Sequence, residues 1–215
     1  MIKSYQRIAA IIGAMVVLSF VPHAFAEEST AGQKNLKSAA PSELSYSYES
    51  PSFGYRIMCP QSPVGVIPAS ALFDGGEGEI LIFENEEYHI KYGWVILVNA
   101  FPEEALPNLN SINPEEATAL LKGLMGSNAY EGIMLINLTE GNKAIFATTA
   151  KEVEIDEDGD GTPDATATAN NQMSVLFFRG ANGVRYGLEL IDNPELRASS
   201  VSSFLAGART LQPMS

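Results

Sequence analysis

The residues with the sharpest chemistry are the nine from Asp156 to Asp164, Asp-Glu-Asp-Gly-Asp-Gly-Thr-Pro-Asp. Aspartates stand at relative positions 1, 3, 5 and 9 of this segment, as Asp156, Asp158, Asp160 and Asp164, and Gly161 stands at position 6. Ca²⁺ takes roughly six to eight hard oxygen ligands. Acids on alternate residues of a turning chain can point inward together, and a glycine at the sixth position supplies the sharp turn. The carbonyl of Thr162 falls at position 7, where a backbone oxygen is expected. Asp158, Asp160 and Asp164 repel one another at this spacing unless a cation lies among them. The pattern predicts a Ca²⁺ site formed by Asp156, Asp158, Asp160, Thr162 and Asp164.

Those same residues resemble a single thrombospondin type 3 repeat, in which Asp-x-Asp-Gly-Asp-Gly-x-x-Asp loops bind calcium. Asp156, Asp158, Asp160 and Asp164 match that pattern position by position. Two departures matter. Such repeats come in tandem and this one stands alone. The twelfth position, where an EF-hand-like loop carries a bidentate Glu, is Ala167, flanked by Thr166 and Thr168. The expected affinity is therefore that of weak extracellular modules, on the order of 10⁻⁴–10⁻³ M. The flanking segments read as strands, so the loop is expected to be a hairpin tip and not a helix–loop–helix. Glu152 and Glu154 precede it on one strand face.

Other chemistry is sparse. A nucleophilic enzyme would have to draw on Cys59, the single cysteine, and His89, the one histidine beyond residue 26. Both fall near predicted strand ends, so a Cys59/His89 hydrolase is one alternative; a carboxylate pair among the many acids is another. One cysteine rules out an intramolecular disulfide framework, leaving Cys59 either buried beside Met58 and Pro60 or paired between chains. Tyr88, Tyr92 and Trp94 share a predicted strand and offer a third alternative, a small-ligand carrier that stacks its ligand on that face. Gly75-Gly76-Glu77-Gly78 lacks the Lys and the helix of a phosphate-binding loop.

These residues need elements to position them. Apolar residues make up 46% of the 215 and charged residues 18%, which suits a folded domain and not a disordered polymer. Residues 1–26 read as an export signal: Lys3 and Arg7, an apolar run from Ile8 to Val21, Pro22, and the small residues of Ala24-Phe25-Ala26. The apolar run is shorter than the ~20 residues a membrane span needs, so no stable membrane insertion is expected after cleavage. Residues 27–43 read as a flexible linker, 44–211 as a single domain, and 212–215 as a short tail.

Within 44–211 the periodicity predicts a broken strand from Tyr46 to Ile57, a loop over 61–78, and strands at Glu79–Phe83 and Tyr88–Phe101. On the last of these, Tyr92, Trp94, Ile96 and Val98 share one face and Val95, Leu97 and Phe101 the other. A strand apolar on both faces is central and covered on both sides. Asn113-Pro114-Glu115-Glu116 predicts a helix start, followed by the apolar stripe Ala117, Leu120, Leu121 and Leu124. A meander is expected next: Gly132–Leu138, Ala144–Ile155, Thr166–Phe178 and Val184–Leu190. A final helix is expected to open at Asn193-Pro194-Glu195.

The fold class is α+β, a mostly antiparallel sheet of about six or seven strands with helices packed on it. That order of elements, with Phe53-Gly54-Tyr55-Arg56-Ile57 leading to Pro60, resembles the PsbP and Mog1 proteins over roughly Leu44 to Leu211. The usual Trp soon after that proline is missing. The resemblance implies a non-catalytic accessory or binding role. The net charge of −13 argues against nucleic acid and anionic membrane, and favours divalent cations and basic protein partners. The expected protein is exported, periplasmic or extracellular, binds an unidentified protein or cell-envelope partner, and carries Ca²⁺ in its acidic loop.

Overall fold

The computed structural model describes residues 44–73, 75–125, 130–155, 162, 164–168, 172–192 and 196–214. The expected signal and linker segments lie outside these residues. Two short strands open the domain, β1 (Tyr46–Ser50) and β2 (Tyr55–Cys59), then β3 (Gly65–Pro68), β4 (Gly78–Asn85) and β5 (Ile90–Val98). Helix α1 (Pro114–Met125) precedes β6 (Tyr130–Thr139), β7 (Asn142–Thr149), β8 (Glu152–Ile155), β9 (Ala165–Thr168), β10 (Ser174–Arg179) and β11 (Arg185–Ile191). Helix α2 (Arg197–Ala208) and the two-residue strand β12 (Gln212–Pro213) complete it.

Seven strands form one sheet in the order β3-β4-β5-β11-β10-β7-β6, with every neighbouring pair antiparallel. β1, β2 and β12 form a second sheet, and β8 and β9 a third. The α+β class and the largely antiparallel sheet thus hold. The last residues are not a tail: Gln212 pairs with Arg56, and the backbone N–H of Met214 donates to the carbonyl of Gly54.

The seven-stranded sheet is buried on both faces, as the two-sided apolarity of β5 requires. One face carries Val95, Phe101, Val175 and Phe177 against Ala117 and Leu121 of α1. The other carries Trp94, Ile96, Leu176 and Leu188 against Tyr55, Ile57 and Phe204, beneath the small sheet and α2. Helix α1 starts where expected. The Asn113 side chain accepts from the Glu116 backbone N–H at 2.9 Å, and Glu116 returns the contact by accepting from the Asn113 N–H at 2.8 Å, a reciprocal capping box. No helix among the described residues is long and apolar enough to cross a membrane.

Several strand boundaries differ from the sequence expectation by a few residues, and three of the differences have a local reason. The turn before β5 extends through His89, which has φ of 55°, because the Asn85 side chain accepts from the N–H groups of Glu87 and Tyr88. Tyr88 and His89 therefore belong to a turn and not to the strand. The long strand expected from Ala144 to Ile155 is two, β7 in the main sheet and β8 outside it. The one expected from Thr166 to Phe178 likewise divides into β9 and β10. At the division the Thr149 hydroxyl accepts from the Met173 N–H at 2.8 Å and the Gln172 amide donates to the Thr149 carbonyl at 3.0 Å, which closes the main ladder.

Candidate functional site

β8 and β9 pair antiparallel from Glu152↔Thr168 to Ile155↔Ala165. The segment 156–164 therefore spans the end of a hairpin that stands apart from the main sheet. Of the expected calcium ligands, Asp156, Asp158 and Asp160 lie outside the described residues, while Thr162 and Asp164 are exposed. Glu152 is exposed at the far end of the hairpin from the turn.

Cys59 and His89 do not form a catalytic pair. Cys59 ends β2 with no exposed surface, its Sγ 3.9 Å from the Ile57 carbonyl, and burial pushes its thiol up to about 12. His89 sits on an exposed turn with its Nδ1 3.4 Å from Glu84 Oε1. A thiol held protonated in the core is a poor nucleophile. In the native protein Cys59 is expected to resist a disulfide reagent such as dithionitrobenzoate at pH 8, reacting stoichiometrically only in denaturant. Rapid native labelling would contradict its burial.

The expected ligand platform on β5 is also absent. Trp94 is fully buried, edge-on to Phe83 and Phe204, with its ring under α2. Gly207 of α2 lies so close that a Cβ built on it would be 2.5 Å from Trp94 Cζ3. That face is packed solid at Trp94 and leaves no room for a ligand to stack.

Open space lies at one end of the main sheet instead. A groove of about 740 Å³ runs between the β6–β7 turn, the β10–β11 turn and the residues after α2. Its floor is apolar, with Leu138, Phe178, Tyr186 and Ala208 nearly inaccessible to solvent. Its rim carries Lys143, Arg179 and Arg209. A second depression of about 420 Å³ shares Arg209 and Gln212 in its wall and adds Arg56.

The rim is held in place by the fold. The Asn110 side chain donates to the Gly141 carbonyl at 2.7 Å and accepts from the Lys143 N–H at 3.0 Å, pinning the β6–β7 turn. The Arg179 guanidinium donates to the carbonyls of Glu103 and Leu106, both at 2.9 Å, with Glu103 Oε1 at 3.8 Å. Arg56 donates to Gln212 Oε1 at 3.1 Å. Sequence reading missed this site because its basic residues come from four distant segments. The only local signals are Lys143 after Glu140-Gly141-Asn142 and Arg179 before Gly180-Ala181-Asn182-Gly183.

Two carboxyls are placed unusually. Glu79 Oε2 accepts from the phenols of Tyr48 at 3.0 Å and Tyr55 at 2.9 Å, joining the small sheet to β4. Burial, together with the neighbouring Glu79 charge, holds both phenols well above the ordinary tyrosine range. Glu189, at the middle of β11, is buried beside Val95 and Val175, and its Oε1 has no hydrogen-bond partner among the described residues. Burial raises its pKa to about 7. Tyr130 of β6 is near enough to sense the Glu189 charge, and its buried hydroxyl likewise has no partner among the described residues.

No protein-family model matches the chain, and no curated protein does. Among solved structures, the chain is similar to the solution structure of cyanobacterial PsbP (CyanoP) from Synechocystis, at 8% identity and a TM-score of 0.48, over 84% of this chain and 98% of that one.

Proposed function

We propose that this protein is an exported, non-catalytic accessory domain. It acts in the periplasm or outside the cell, docks on a protein or envelope partner, and holds one Ca²⁺ in the 156–164 turn. The observation that carries the metal reading is the β8–β9 pairing: it brings Ile155 and Ala165 together as a cross-strand pair and leaves nine residues to join them, four of which are aspartates. Like charges so close in sequence repel, and a divalent ion would relieve the repulsion. The metal would stiffen a two-stranded ladder that no further strand flanks among the described residues. The separation of buried Cys59 from exposed His89 supports the non-catalytic reading, and the chain's negative charge supports a basic partner surface.

Calcium titration followed by calorimetry and thermal unfolding tests the metal reading. At a free Ca²⁺ about tenfold above a dissociation constant in the 10⁻⁴–10⁻³ M range, mass action stabilises the bound form by about 1.4 kcal/mol. The expected result is a rise in Tm that disappears in the Asp158→Ala/Asp160→Ala protein. No response at millimolar calcium, or an equal response in the variant, would remove the metal from the proposal.

A further inference from the structure

We infer that the groove at the end of the main sheet, with the depression beside it, binds an acidic peptide segment in extended form. The charge is the first reason. The chain as a whole is −13, yet the residues lining the two depressions include Lys143, Arg179, Arg209 and Arg56 and one carboxylate, Glu140. Outside the lining, Glu103 lies beside Arg179 and Glu49 opposite Arg56. Arg179 is partly engaged by Glu103 and Arg56 by Gln212. Lys143 and Arg209 carry no ion pair among the described residues, so both are available to a carboxylate. The repulsion of the distant acids is damped beyond a Debye length of about 8 Å at physiological salt, whereas rim cations act at contact.

The shape is the second reason. Depressions of about 740 and 420 Å³ that share Arg209 and Gln212 in their walls together offer more room than a compact small molecule fills. An extended peptide can reach both. Its carboxylates would meet the rim cations, and its apolar side chains would lie on Leu211 and Pro213, which are accessible in the wall of the larger depression. The rim amides of Asn142 and Gln212 suit backbone groups, and β12 is the outer strand of its sheet at this place. Extended peptides exploit such an edge. Because Asn110 and Arg179 already fix the walls, the ordering cost of binding falls mainly on the peptide.

This site is separate from the β8–β9 hairpin, so the two proposals fail independently. The test is fluorescence anisotropy of the purified protein with a fluorescein-labelled decapeptide bearing Glu at alternate positions and Leu or Phe between them. Saturable binding is expected, weakened at least about tenfold in Lys143→Gln/Arg209→Gln, a change confined to the rim. Lys91→Gln, an exposed charge removed elsewhere, and Asp158→Ala/Asp160→Ala should leave the affinity unchanged. Circular dichroism melts establish that the rim variant folds, and Lys143→Arg/Arg209→Lys should restore binding. Absence of binding, equal binding by the rim variant, equal binding of the matching Lys-bearing peptide, or equal binding of a single-stranded oligonucleotide would each overturn the inference.

Discussion

Replacing Glu189 with Gln is expected to remove a fall in this protein's stability that runs from about pH 4.5 to about pH 7. Glu189 is buried on the α1 side of the sheet, and burial raises its carboxyl from 4.5 to about 7. In the unfolded chain the carboxyl ionises near its ordinary value. Between the two values the native state holds more protons than the unfolded state, so stability falls as pH rises. The contribution is fully present below about pH 4.5 and lost as pH rises through about 7; at 1.36 kcal/mol per unit the whole loss is about 3 kcal/mol. Urea unfolding of wild type and Glu189→Gln across that range should give a difference that changes by this amount. The variant's amide has its own burial cost, but that cost does not titrate. A constant offset would show that Glu189 is hydrated or paired in the native protein. Tyr130→Phe should cost little, since the buried hydroxyl it removes has no partner among the described residues.

The second large effect is expected where α2 meets β5. Trp94→Ala should cost about 3–5 kcal/mol, the range for emptying a buried aromatic site. Phe83 and Phe204 both lose an edge contact there. Gly207→Ala attacks the same contact from the other side. Its new methyl would meet Trp94 Cζ3 at 2.5 Å, Cη2 at 2.6 Å and the Met58 carbonyl at 2.9 Å. Overpacking of this kind costs about 1–3 kcal/mol. The ring is rigid and the carbonyl belongs to β2, so neither yields without moving the helix. In a double-mutant cycle with Trp94→Leu, which removes the obstructing ring atoms, the cost of Gly207→Ala should drop by more than 0.5 kcal/mol, roughly the threshold for real coupling. Additive costs would mean that the Met58 carbonyl, and not the indole, sets the close approach.

The features legible in the sequence are those that local chemistry dictates. Alternation with both faces apolar marks β5 as central, and the structure places Trp94 and Val95 on opposite cores. Asn113 and Glu116 announce the start of α1 because a cap is satisfied within four residues. The acidic nine-residue segment announces a hairpin because its flanks alternate. What was illegible depends on distant partners. The division of β7 from β8 falls at Ala150-Lys151, with no Gly or Pro to mark it; Gln172 and Met173 impose it from the far side of the acidic segment. The groove needs Arg56, Lys143, Arg179 and Arg209, which only the fold brings together. Glu189 reads as an ordinary strand residue until β10 and β5 are known to flank it.

The pairing of β12 with β2 has a consequence for how the domain tolerates changes at its ends. β1 and β12 flank the same central strand, so the first and last described strands are separated by about 10 Å, two strand spacings. Because β1 and β12 run parallel, Tyr46 lies at the Cys59 end of β2 and Pro213 at its Tyr55 end, so a bridge must also run back along roughly 13 Å of strand. A linker of about ten glycines and serines would span that path and close the backbone into a loop. New termini could then be opened at an exposed turn such as 86–89, giving a circularly permuted protein with its native sheets. A fusion partner attached after Met214 would emerge at the Tyr55 end of β2, next to Arg56.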